Sequence, residues 1–183
     1  MKINFTKIIK FSMCIIICEF AGVIGSIFTM PSIGNWYKDL EKPFFNPPNW
    51  IFAPVWTLLF LLMGTAFYLV WQEKWVIKNS IEILNNIKNY SWIKKFLDRI
   101  STKEGVILIF FVQLFLNILW SFIFFGLHRT GFAFLELLVL WVAILLTIIS
   151  FYRISKKAAY MLYPYIFWVS FAGVLNFMLW FLN

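Results

Sequence analysis

Polar and charged residues gather between five apolar stretches, near Ile8–Phe28, Ile51–Trp71, Val106–Gly126, Phe132–Tyr152 and Ala158–Leu182. A hydrocarbon core of about 30 Å takes roughly 20 residues of helix, and each stretch meets that length. The pattern predicts an all-α, polytopic membrane protein: a five-transmembrane-helix bundle in which residues 1–183 form a single domain. The tight turn Gly126–Gly131 makes the third and fourth spans antiparallel neighbours, Arg153–Lys157 is another short turn, and such short connections imply a compact bundle. Lys2, Lys7 and Lys10 ahead of the first stretch would also suit a signal peptide. That stretch, however, outruns the usual apolar core of one and contains Glu19.

The segments between spans differ in character. The first is rich in proline (Pro43, Pro47, Pro48, Pro54) and in aromatic residues, and proline restricts both its own φ and the residue before it, so this loop should be stiff. Asn49 is placed to cap the second span, with Pro54 tolerable near its first turn. An extended loop at about residues 72–104 is longer than such a connection needs. Within it Ile77, Ile81 and Leu84, then Ile93, Phe96, Leu97 and Ile100, recur at helical spacing beside Lys88, Lys94, Lys95 and Arg99. That pattern suits short amphipathic helices on an anionic leaflet, or a solvated linker. Ser101-Thr102-Lys103-Glu104 has the spacing of a capping box and marks the start of the third span.

Composition agrees with the pattern, at 62% hydrophobic and 13% charged. The net charge of +8 would invite a nucleic-acid partner, but the distribution of the basic residues argues against one. The N-terminus (Lys2, Lys7, Lys10), the long loop (Lys74, Lys78, Lys88, Lys94, Lys95, Arg99, Lys103) and the fourth connection (Arg153, Lys156, Lys157) hold thirteen of the sixteen, whereas Lys38, Lys42 and Arg129 alone lie on the other side. The positive-inside rule then puts the N-terminus in the cytoplasm, and the first loop and C-terminus outside it, in a cell membrane. Cys14 and Cys18 are one helical turn apart, a poor geometry for a disulfide, and read as packing residues. With His128 the single histidine, no metal site is expected.

Candidate chemistry lies on three helix faces. Gln113, Asn117, Trp120 and Ser121 share one face of the third span, and buried amides in a membrane bond either neighbouring helices or a ligand. Pro164, Trp168, Ala172 and Asn176 form a stripe every four residues along the fifth span, where the small Ala172 leaves room for a helix or for the edge of a planar molecule. Trp56 and Phe60 stack along the second span, whereas Trp71 and Trp180 fall at span ends as interfacial anchors. Glu19 and Glu136 are intramembrane carboxyls, readable as a proton relay or ligand counter-ion, or as neutral groups hydrogen-bonded to a neighbouring helix.

Three segments in order, Trp36–Pro48 (WYKDLEKPFFNPP), Gln113–Phe125 (QLFLNILWSFIFF) and Pro164–Asn176 (PYIFWVSFAGVLN), resemble the motifs of the TspO/MBR family, the translocator and tryptophan-rich sensory proteins. The resemblance implies a five-helix bundle, often a homodimer, that binds tetrapyrroles (protoporphyrin IX, haem) and flat aromatic ligands beneath its first loop. By motif position it puts Tyr37, Pro47, Trp56, Phe60, Gln113, Asn117, Trp120, Trp168 and Ala172 at the ligand, and associates Trp56 and Trp168 with light-dependent porphyrin breakdown. Leu175–Phe181 contains neither the Tyr nor the basic residue of a sterol motif, so sterol binding is not implied.

The function expected is a membrane receptor or sensor, with porphyrin as ligand and no required cofactor. The alternatives are a photo-oxidative enzyme acting through the pocket indoles and a porphyrin transporter. The chain contains no hydrolase triad motif, metal cluster or dinucleotide loop, and no inverted repeat of the transporter kind.

Overall fold

The computed structural model describes residues 5–73, 96, 99–100 and 102–183. It is all helix and connection, with no strand among the described residues. Helix α1 (Phe5–Ile33) leads through α2 (Trp36–Asp39) and a 3-10 turn (Asn49–Ile51) into α3 (Phe52–Gln72). Helix α4 (Lys103–Ser121) runs into a π turn (Phe122–Gly126), then come α5 (Thr130–Ile154), the short α6 (Lys156–Met161) and α7 (Tyr163–Leu182). Five segments are long and apolar enough to cross a membrane: Phe5–Ile33, Asn49–Gln72, Lys103–Gly126, Thr130–Ile154 and Lys156–Leu182. They coincide in order and number with the apolar stretches of the sequence.

The boundaries differ where local chemistry overrides hydropathy. Helix α1 continues through Pro31, which is tolerated because it falls in the last turn, where Asn35 Nδ2 donates to the Pro31 carbonyl at 3.1 Å. Asn49 does not cap α3: it sits within the 3-10 turn, whose cap position is Pro48, and makes no capping bond. The cap of α4 is Thr102, one residue later than the capping-box spacing suggests. Its Oγ1 accepts from the Gly105 amide at 3.1 Å and Glu104 falls in the first turn, while Ser101, the first position of that spacing, lies outside the described residues. The proposed amphipathic positions Ile77, Ile81, Leu84, Ile93 and Leu97 lie outside the described residues, whereas Phe96 is exposed and Ile100 buried.

Helix α1 packs against α3 and α4, α4 against α5, α5 against α7, and α6 returns to α3, so the bundle closes in the order α1, α3, α7, α5, α4. The α1–α3 crossing is close because Gly64 has no side chain: a Cβ there would stand 2.8 Å from Ile15 Cα and 2.9 Å from the Cys14 carbonyl oxygen. One half of the bundle is tied by stacked rings, Phe67 on Phe110 at 4.3 Å and Phe110 on Phe151 at 5.9 Å, which join α3, α4 and α5. Cys14 and Cys18 are fully buried, free thiols in this core. A second apolar cluster, of Tyr37, Phe124, Ala133, Leu175 and Leu179, lies under the first loop. Between the two clusters, α3 and α7 are bridged by aromatic side chains, Trp56 to Tyr165 at 6.3 Å and Phe52 to Trp168 at 6.0 Å.

Candidate functional site

A cavity of about 450 Å³ lies at those bridges. Its wall is built by α1, Tyr37, α3, the end of α4 with its π turn, and α7, and α5 supplies no lining residue among those described. Helix α1 gives it shape through a missing side chain. A Cβ on Gly22 would meet Phe60 Cε2 at 2.6 Å, so the Phe60 ring lies where a larger residue would stand, with Trp56 tilted over it at 5.7 Å. Val23 and Met30 of α1 and Ala53 and Thr57 of α3 line the cavity and are also exposed, so the wall is thin between these two helices.

The first loop is held over this space by specific bonds. Tyr37 is buried and its hydroxyl donates to Asn46 Oδ1 at 2.9 Å, while Asn46 Nδ2 donates to the Pro47 carbonyl at 3.0 Å. Burial pushes the Tyr37 phenol above the usual tyrosine range, and the bond to Asn46 acts in the opposite direction. Lys42 lies over the Tyr37 ring at 4.9 Å and donates to the Lys38 and Leu40 carbonyls, each at 3.0 Å. The far edge of the loop is clasped to the end of α7: the Glu41 amide donates to Asn183 Oδ1 at 2.9 Å, and Asn183 Nδ2 donates to the Glu41 carbonyl at 3.0 Å.

Of the residues singled out from the sequence, Tyr37, Trp56, Phe60, Asn117, Trp120, Trp168 and Ala172 come together in the cavity wall. Two do not. Gln113 shares the face of Asn117 but sits a turn deeper, 1% exposed, with Nε2 against Met63 Sδ at 3.8 Å and Oε1 unpartnered. Pro47 stays in the loop, outside the lining, its carbonyl engaged by Asn46. The polar face bonds the neighbouring helix α7, the first of the two roles considered for it, and part of it also borders the cavity. Asn117 Nδ2 donates to the Tyr165 hydroxyl at 3.0 Å, and Trp120 Nε1 donates to Asn176 Oδ1 at 3.0 Å, while all but Tyr165 also line the cavity. Asn176 further donates to the Thr130 carbonyl at 2.8 Å, which ties the wall to the start of α5.

Several lining residues were not singled out as ligand positions. Phe124 and Phe125 enter through the π turn, where the Leu127 amide bonds the Phe122 carbonyl at 2.9 Å and widens the helix by one residue. Phe124 then stacks on Trp120 at 5.1 Å and meets Trp36 edge-on at 5.5 Å. They close the Gln113–Phe125 motif, which was the available signal. Glu19 also lines the cavity, and the hydrogen bond to a neighbouring helix considered for it is not there: its Oε1 is buried without a partner among the described residues. Glu136 is likewise buried, with neither carboxyl oxygen partnered among the described residues, but it stands outside the lining. His128, at φ 55°, stacks on Trp36 at 4.3 Å and lies 3.4 Å from Ser32 Oγ, a structural position at the base of the loop.

A sequence profile of the TspO/MBR family matches residues 14–181. The chain belongs to that family. Relatives cover nearly its whole length: a tryptophan-rich protein TspO of Chlorobaculum tepidum is 38% identical over 177 residues, 97% of this chain and 98% of the relative. A tryptophan-rich protein TspO of Archaeoglobus fulgidus is 37% identical over 180 residues, 98% of this chain and 99% of the relative. The human translocator protein is 33% identical over 157 residues, 86% of this chain and 80% of the relative. With its five apolar spans, this TspO/MBR member is an integral membrane protein.

Proposed function

We propose that the chain is a membrane receptor for tetrapyrroles and related flat aromatic molecules, held in the cavity under the first loop, and that it works as a homodimer. The observation that carries the reading is the wall itself: Trp56, Phe60, Trp120, Phe124 and Trp168 surround a space of about 450 Å³ beneath a bonded loop. That volume is in the range of single-ligand pockets, roughly 300–1,000 Å³. Aromatic rings favour a flat π-system by burial and by about 0.5–1.5 kcal/mol per ring pair beyond it. The name of the relative in Cereibacter sphaeroides, tryptophan-rich sensory protein, supports the sensory side of the reading. The test is a titration of the full chain in lipid nanodiscs with protoporphyrin IX. Saturable tryptophan quenching with a shifted Soret band is expected; a linear, unsaturable response would reject the receptor reading.

Photo-oxidative breakdown of bound porphyrin is a second reading, favoured by three indoles standing in the wall with no Lys, Arg or His among the described lining residues. Illuminating the same complex separates the two. Loss of the Soret band to a new product, slowed in Trp56→Phe and Trp168→Phe at matched occupancy, supports the enzyme, whereas rates equal to wild type leave the receptor alone.

A further inference from the structure

Glu19 is the single Asp or Glu among the described lining residues of an otherwise apolar and aromatic cavity. It projects from α1 one turn before Gly22, beside the depression filled by the Phe60 ring. Three hydroxyls of the wall are already engaged within the protein. Ser26 Oγ donates to the Val23 carbonyl at 2.7 Å, Thr29 Oγ1 to Gly25 at 3.0 Å and Thr57 Oγ1 to Ala53 at 3.0 Å. Two buried groups of the wall have no partner among the described residues, the donor Trp168 Nε1 and Glu19 Oε1, which is the acceptor of the two, and no described lining residue is basic. A buried carboxyl oxygen without a partner is costly, and a ligand group that bonds it recovers that cost.

We propose that Glu19 is the polar anchor of the cavity, accepting a hydrogen bond from an N–H group on the bound ring system. It thereby selects flat aromatic ligands that carry such a donor over isosteres that lack it. A site with a buried acceptor to satisfy rejects an analogue without the matching donor far more strongly than an apolar wall rejects a small change of shape. The described residues of the wall offer an ionised ligand carboxylate no cation, so acidic substituents project out of the cavity. This deepens the proposed function, and it rests on the cavity's taking flat aromatics, not on tetrapyrroles in particular.

The test uses three neutral tricyclic probes of nearly one shape: acridone, which has a ring N–H, and xanthone and N-methylacridone, which do not. Each is titrated by fluorescence into the full chain in nanodiscs. Wild type is expected to bind acridone at least tenfold more tightly than xanthone or N-methylacridone. Glu19→Met, similar in volume but without the carboxyl, is expected to bring the acridone-to-xanthone ratio within about threefold, as a polar-group deletion should. Glu19→Gln keeps an acceptor carbonyl and is expected to retain part of the preference. Equal affinities in wild type, no acridone binding at all, or a preference that Glu19→Met leaves intact would each overturn the proposal, and the first two need no variant to fold. Protoporphyrin IX titrated into the same samples keeps the two readings apart. Failure of porphyrin binding with acridone selectivity intact removes the tetrapyrrole and leaves Glu19, and the converse removes Glu19 alone.

Discussion

At the scale of single residues, the cavity depends on side chains that are aromatic on one face and anchored on another. Trp120 is fixed by its bond to Asn176, so its ring is pre-set for stacking. Trp168 is packed edge-on against Phe52 at 6.0 Å, and its buried Nε1 has no partner among the described residues, so packing holds it. Removing such a ring forfeits burial and stacking together. Trp168→Ala is therefore expected to weaken protoporphyrin IX binding by about 1–3 kcal/mol, and Trp168→Phe by much less. Tryptophan quenching in a variant that keeps its thermal transition checks this, and unchanged affinity for Trp168→Ala would place the ligand elsewhere.

The elements are positioned by a few backbone approaches and clasps. Where α1 crosses α3, Gly64 leaves 2.8 Å between an added Cβ and Ile15 Cα, which is backbone and has no rotamer to yield. Gly64→Ala is expected to cost about 1–3 kcal/mol, the usual penalty of overpacking, visible as a lower detergent melting temperature. A melting curve like that of wild type would mean the two helices can separate freely. The first loop is a different kind of element, with Asn183 holding both the amide and the carbonyl of Glu41. Losing two hydrogen bonds of about 0.5–1.5 kcal/mol each should loosen that edge. Asn183→Ala is expected to speed amide exchange at Glu41 and to raise the ligand off-rate. Exchange as slow as wild type would show that the Phe45–Phe171 contact at 6.4 Å is sufficient on its own.

For the whole molecule, the order α1, α3, α7, α5, α4 leaves α1 and α7 on either side of α3, so one cavity is faced by helices far apart in the chain. The distribution of Lys and Arg predicts its orientation in the bilayer, N-terminus in the cytoplasm. With the N-terminus cytoplasmic, an impermeant thiol reagent added outside cells should label Asn35→Cys and spare Asn86→Cys; the reverse pattern would invert the topology. Labelling of the native Cys14 and Cys18 is not expected to confuse the result, because both are fully buried.

The sequence alone determined the span count and the short links, because a run of some 20 apolar residues can satisfy its backbone in hydrocarbon only as a helix. Helical spacing and motif resemblance brought Trp56, Phe60, Asn117, Trp120, Trp168 and Ala172 to the cavity wall, since residues four apart share a face whatever that face meets. Spacing could not say how deep along the face the cavity reaches, so it included Gln113, which the packing of Met63 shuts into the core. Nor does a capping pattern choose between adjacent residues: the bond from Gly105 selected Thr102. The tertiary structure alone decided that the π turn carries Phe124 and Phe125 into the wall and that Gly22 yields its place to Phe60. It alone separated two intramembrane carboxyls that look alike in sequence, turning Glu19 to the cavity and Glu136 into the protein, because which side of a helix meets open space depends on what the other helices leave unfilled.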